Sequence, residues 1–140
     1  MKLLDINVLV NAFRSDAPQH ASSFAFLSNA RQGHEPIIVL PEVAVGFVRI
    51  VTRRGIFAEP DDSATAMSAL TAWCSAPAVL VREAGAGRWA VFASLMEAHA
   101  LNGNDVHDGL LAAAAIDMGA TLVTADRGFA RFAGLHLQLL

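Results

Sequence analysis

The sequence predicts an α/β fold built on a central, mostly parallel sheet, and three observations carry that prediction. Strand-like and helix-like stretches alternate along the whole chain, which implies a parallel sheet with helices on both faces. The run Pro36-Ile37-Ile38-Val39-Leu40 is β-branched and apolar, as in a strand buried on both sides. The 140 residues are 54% hydrophobic and only 16% charged, which suits one compact domain over residues 1–140 and excludes a disordered chain. Repeats, low-complexity stretches and linkers are absent.

The elements come in order along the chain. Leu3-Leu4 opens a short strand that stops at Asp5, and Ile6 to Phe13 reads as a short helix or turn. His20 to Arg31 has helical spacing through Phe24, Leu27 and Ala30, with Gly33 as its stop. After the strand at 36–40, Pro41 is well placed as a first helical residue. The helix from Glu42 to Arg53 comes next and ends at Gly55. Asp61-Asp62-Ser63 is an N-cap region for a helix through Trp73. Pro77 to Val81 reads as a strand, Ala86 to Ala100 as a helix closing at Asn102-Gly103, and Asp105 to Met118 as an alanine-rich helix closing at Gly119. Thr121 to Thr124 is a strand, Gly128 to Phe132 a turn or short helix, and Leu135 to Leu139 a last strand.

Composition excludes several classes. No apolar run approaches the roughly 20 residues of a membrane span. Asp5 interrupts the N-terminal apolar stretch before it becomes a signal-peptide core. The single cysteine, Cys74, excludes an internal disulfide and a cysteine zinc cage, so the expected compartment is the cytoplasm. The net charge of −3 argues against a passive nucleic-acid coat protein. All but one of the ten basic residues are arginines, suited to bidentate phosphate contact. Arg49, Arg53 and Arg54 are the densest group, with a solvated helix end and a substrate or partner role as equal readings.

The acids carry the functional reading. Asp5 ends the first strand, Glu42 begins the helix after the second, Asp108 lies in the first turn of the alanine-rich helix, and Asp126 follows the fourth strand. Ligands of open α/β sheets bind outside the carboxyl ends of the strands, so these four are expected on one rim. Carboxylates in one cleft repel unless a cation neutralises them. Oxygen ligands without cysteine suit Mg²⁺, or Mn²⁺, over zinc, and such a cation supports phosphoryl hydrolysis. Simpler roles compete: Asp126 as an N-cap, and Glu42 as a charge on the helix dipole. Asp105 rivals Asp108 for the ligand role, with Asp105 the expected cap and Asp108 the expected ligand.

At these residues the sequence resembles the PIN-domain family, and within it the VapC-type ribonuclease toxins of bacterial toxin–antitoxin pairs. The segments are Leu4 to Leu9, Pro41-Glu42-Val43, Val106 to Ala113 and Leu122 to Phe129, in the family's order across nearly the whole chain, with Phe132 to Leu135 fitting the ending. The resemblance implies a three-layer α/β/α sandwich, a Mg²⁺-dependent endoribonuclease, a cognate antitoxin, and a homodimer or a toxin–antitoxin hetero-oligomer. It assigns metal-ligand roles to Asp5 and Asp108 first, then Glu42 and Asp126. Asn7 and Thr124 become polar supports near metal or phosphate, with capping of the first helix and a plain strand position as their other readings.

Other signals weigh less. Gly85 to Ala90 matches a dinucleotide-binding pattern, but it stands apart from its strand and carries the bulky Arg88-Trp89. His107 is isolated. Asp5-Ile6-Asn7 resembles the Asp-x-Asp of haloacid-dehalogenase phosphatases, but the second aspartate is missing and the only lysine, Lys2, is in the wrong place. The remaining alternatives are a non-catalytic PIN-fold binding module and a small-ester phosphatase. The apolar helices between His20 and Val51 are expected to expose a groove for the antitoxin. Which RNA is cut is not legible.

Overall fold

A computed structural model describes all residues, 1–140. Five strands form one sheet: β1 (Lys2–Leu4), β2 (Ile37–Val39), β3 (Val79–Val81), β4 (Thr121–Thr124) and β5 (His136–Leu139). Their spatial order is β3-β2-β1-β4-β5, with every pairing parallel. The helices are α1 (Ile6–Phe13), α2 (His20–Gln32), α3 (Pro41–Val51), α4 (Ser63–Cys74), α5 (Arg88–His99) and α6 (Asp105–Asp117). A 3-10 turn, Arg127–Arg131, joins β4 to β5.

Strand order decides where a site can form. From the central β1 the chain builds outward to β2 and β3, then returns to add β4 and β5 on the other side. The order reverses between β1 and β4, and at that point the flanking connections leave in opposite directions and open a crevice at the carboxyl ends. Register fixes the detail: Leu4 pairs with Val123, and the Asp5 amide donates to the Val123 carbonyl at 3.0 Å. The first residue beyond β1 is thereby held beside the end of β4.

The predicted elements are present, with shifted ends. The strand at 36–40 shortens to Ile37–Val39, and that at 77–81 to Val79–Val81. Pro36 and Pro77 lack the amide that a ladder requires. The helix after β2 begins at Pro41 and stops at Val51, where the Thr52 hydroxyl donates back to the Val48 carbonyl at 2.7 Å. Asp62 caps α4, its carboxylate accepting from the Thr65 amide at 2.9 Å. The glycines of the Gly85 to Ala90 pattern have a packing explanation. A Cβ on Gly85 or Gly87 would run into the Asp117 carboxylate at the end of α6. Their smallness admits a neighbouring side chain at the approach to α5.

Leu3, Leu4, Ile38, Leu122 and Val123 are fully buried, as expected for parallel strands covered on both faces. Ala112 to Ala115 of α6 are all 0% exposed, so small side chains let this helix pack closely against both the sheet and α5. Phe47 of α3, also 0% exposed, meets Phe13 edge-on at 5.4 Å and Trp73 at 5.4 Å, locking α1, α3 and α4 together. Phe47→Ala empties this junction and is expected to cost about 3–5 kcal/mol, read by denaturant unfolding.

Candidate metal centre

Asp5 stands at the N-cap position of α1 with extended backbone (φ −81°, ψ 154°), yet its side chain makes no cap hydrogen bond. The carboxylate turns instead into the crevice between β1 and β4. Its Oδ2 accepts from the Thr124 hydroxyl at 2.6 Å and from Asn7 Nδ2 at 2.6 Å. Asn7 Nδ2 also reaches Thr124 Oγ1 at 2.9 Å, and Asn7 Oδ1 accepts from the Ala125 amide at 3.0 Å. Thr124 Oγ1 in turn accepts from the Asp126 amide at 2.9 Å. Asn7 therefore does not cap α1, and Thr124 is more than a strand residue. Together they clamp one carboxylate and tie the ends of β1 and β4 to each other.

This carboxylate is costly as it stands. Asp5 is 7% exposed and has no basic side chain as a partner. Burial pushes its pKa above the usual carboxylate range, Thr124's hydrogen bond pulls it back in part, and the charge of Asp108 raises it further. Asp108, in the first turn of α6, is also raised. Burial is the largest cause, Arg131 opposes it, and the charges of Asp126 and Asp105 add to it. Mutual repulsion among partly buried carboxylates is what a hard cation relieves, and an all-oxygen donor set fits Mg²⁺ or Mn²⁺.

The four predicted acids reach the carboxyl-end rim with different partners. Glu42, in the first turn of α3, is ion-paired to Arg88 at the start of α5. It faces the first turn of α6 across a gap lined by Val43, His107, Leu110 and Leu111. Asp108 Oδ2 lies 3.2 Å from Arg131 Nη2. Asp126 is exposed, and its Oδ1 accepts from the Gly128 amide at 2.7 Å, capping the 3-10 turn. No three His, Cys, Asp or Glu side chains close on a common point for an ion. The structure sets a clamped Asp5 beside Asp108, with Glu42 and Asp108 each paired to an arginine and Asp126 capping the 3-10 turn. Asp105 is not the cap of α6 either. Asn104 occupies the cap position, no side chain caps it, and Asp105 Oδ1 instead sits 3.3 Å from the Arg131 nitrogen that contacts Asp108.

Arg88 and Arg131 escape a reading of the sequence alone, which singles out Arg49, Arg53 and Arg54. Those three lie at the far end of α3, exposed and away from the rim. The available signal is position: Arg88 opens a helix after a strand, and Arg131 closes the turn after β4.

The PIN-domain model matches residues 2–135. The chain belongs to the PIN-domain family. This PIN domain is 40% identical over 136 residues to the VapC ribonuclease Mb2897 of Mycobacterium bovis, covering 97% of this chain and 92% of that one. Ribonuclease VapC43 of Mycobacterium tuberculosis matches with the same identity and coverage. Among solved structures, VapBC2 from Rickettsia felis, bound to a DNA fragment from its promoter, superposes with a TM-score of 0.72. That match has 20% identity and covers 99% of this chain and 97% of that chain, which speaks to the shared fold. No helix is long and apolar enough to cross a membrane.

The raised pKa of Asp5 has a signed consequence. The folded state keeps this proton where the unfolded chain has released it, so the contribution to stability falls as pH rises above the usual carboxylate range. In chelator, Asp5→Asn is expected to melt higher than wild type at neutral pH. The difference should shrink as pH falls to the ordinary carboxylate range, about pH 4, below which folded and unfolded chains both hold the proton. Thermal melts of both proteins across that range check it.

Proposed function

We propose that this PIN domain is the endoribonuclease toxin of a toxin–antitoxin pair, and that it cuts RNA with a divalent cation, Mg²⁺ or Mn²⁺, held by Asp5 and Asp108. The observation that carries the reading is the buried, clamped Asp5 beside Asp108 at the point where strand order reverses. The roughly 40% identity to named VapC ribonucleases over nearly the whole chain supports RNA as the substrate class.

Each residue has a task in this reading. Asp5 and Asp108 are the principal ligands, and Glu42 and Asp126 complete the shell. Asn7 and Thr124 fix the orientation of Asp5, so that the carboxylate is preorganised instead of being collected when the ion arrives. When bound, the cation supplies neutralisation of the scissile phosphate and a water of lowered pKa for in-line attack.

The partner is an antitoxin, bound in a hetero-oligomer or to a homodimer of this chain, and the pair works in the cytoplasm. An apolar groove is present, and α3, within the stretch His20 to Val51, forms one of its walls. It runs between α3 and α4 beside the end of β3, lined by Pro41, Ala44, Val45, Val48, Met67 and Leu70. Val45 is 67% exposed there. From α2 the exposed large apolar side chain is Phe24. Surface of this kind marks partner sites and limits solubility when left bare. The chain purified alone is expected to be less soluble than the co-expressed pair, checked by sedimentation of both at matched concentration.

The test of the chemistry is cleavage of total RNA. Activity should appear with Mg²⁺ or Mn²⁺ and vanish in chelator. Asp5→Asn and Asp108→Asn should each lose on the order of a hundredfold or more, given how much a charged group at a reacting centre contributes. Wild-type rates in either variant would overturn the assignment.

A further inference from the structure

Two arginines reach into the acidic rim from opposite sides. Arg131 ends the 3-10 turn after β4, and one of its nitrogens stands between two carboxylates, 3.3 Å from Asp105 Oδ1 and 3.2 Å from Asp108 Oδ2. Its guanidinium also lies 4.8 Å from the centre of the Phe132 ring, and Phe132 is 3% exposed. The aromatic face holds the charge at the rim without consuming its hydrogen-bond donors. Arg88 does the corresponding work at the start of α5, ion-paired to Glu42. Neither side chain is buried: Arg88 is 28% and Arg131 34% exposed. Each is a partly exposed cation paired to an acid that the proposed centre uses.

We propose that Arg88 and Arg131 are placeholder cations: they occupy Glu42 and Asp108 while the centre is empty, and pass to the RNA phosphates once a divalent cation takes those carboxylates. The proposal rests on the cation reading of the same site and adds how ion loading controls RNA binding. A chain with net charge −3 and five acids gathered near one rim repels a polyanion. Filling the centre changes that twice over: it cancels carboxylate charge and frees two guanidinium groups beside it. A guanidinium presents donors in a fork that fits phosphate oxygens in pairs. Arg127, exposed on the same 3-10 turn as Arg131, and Arg82, exposed directly after β3, extend a basic margin around the acids. In this scheme the arginines lower the apparent affinity for the ion by the fraction of time they hold its ligands, and raise affinity for RNA only in the loaded protein.

The competition sets the direction of the test. A residue that only orients Asp108 or Glu42 would weaken ion binding when removed, whereas removing a placeholder strengthens it. Mn²⁺ is titrated calorimetrically into the full chain and into Arg88→Gln and Arg131→Gln. Each variant is expected to bind Mn²⁺ roughly two- to fivefold more tightly, the range of exposed ion pairs. Each should bind a 2′-O-methyl RNA oligonucleotide, followed by fluorescence anisotropy in Ca²⁺, roughly five- to tenfold more weakly. The salt dependence of that RNA binding should become shallower by about 0.7 for each phosphate that is no longer neutralised. Arg131→Lys keeps the charge without the fork and is expected between wild type and Arg131→Gln on both axes; it also serves if Arg131→Gln does not fold. Unchanged or weaker Mn²⁺ binding in the glutamine variants, or unchanged RNA binding, overturns the proposal. Asp5→Asn separates the two levels. If wild type binds Mn²⁺, Asp5→Asn does not, and the arginine variants match wild type, the placeholder role alone fails. If wild type and Asp5→Asn both ignore Mn²⁺, the cation reading falls and the placeholder role with it.

Discussion

The hydrogen bond from Thr124 to Asp5, 2.6 Å between the ends of two adjacent parallel strands, is the contact on which the rest of the site depends. Strand order puts these two residues side by side, and register keeps them level. Asn7 then closes the clamp from the first turn of α1, reaching Asp5, Thr124 and the Ala125 amide. Without it, a carboxylate that is 7% exposed would keep fewer donors to balance its burial. With it, the charge is tolerated but not satisfied, and its affinity for a proton stays raised. An unsatisfied negative charge at a fixed point is the property a cation site needs. The stability forgone there is the local cost of the proposed cation site.

The packing around the crevice serves the same end. Ala112 to Ala115 bring α6 close onto the sheet, and closeness at those methyl groups sets where the first turn, with Asp105 and Asp108, meets the strand ends. Bulkier residues would lift the helix and carry Asp108 away from Asp5. On the other flank, Phe47 with Phe13 and Trp73 anchors α3 against α1 and α4, and through Pro41 and Glu42 the start of α3 is set at the rim. The core therefore acts as a jig for carboxylates contributed by elements far apart in the chain.

The fold is largely legible in the sequence because its signals are local. β-branched runs, glycine stops and the Asp62 cap each declare an element within a few residues. The strand ends are less legible, since Pro36 and Pro77 border apolar runs yet precede the strands themselves, which begin at Ile37 and Val79. The placing of the acids at strand ends and helix starts is legible, since position alone gives that. Their pairing is not. Arg131 meets Asp108 across 23 residues and a 3-10 turn, and Arg88 meets Glu42 across 46. Such contacts arise from tertiary geometry, which residue patterns do not carry. The same holds for Asp105, whose position beside Asn104 suggests a cap while Arg131 draws it elsewhere.

The clamp also bears on how the molecule is made. Asp5 and Thr124 are separated by 119 residues, so the centre joins the first strand synthesised to the fourth. On the ribosome, every earlier element can take shape while the Asp5 carboxylate still waits for its partner. A chain interrupted anywhere before β4 carries the leading acid but no site. The site thus comes into being only once β4 lies beside β1, so the topology ties it to assembly of the middle of the sheet.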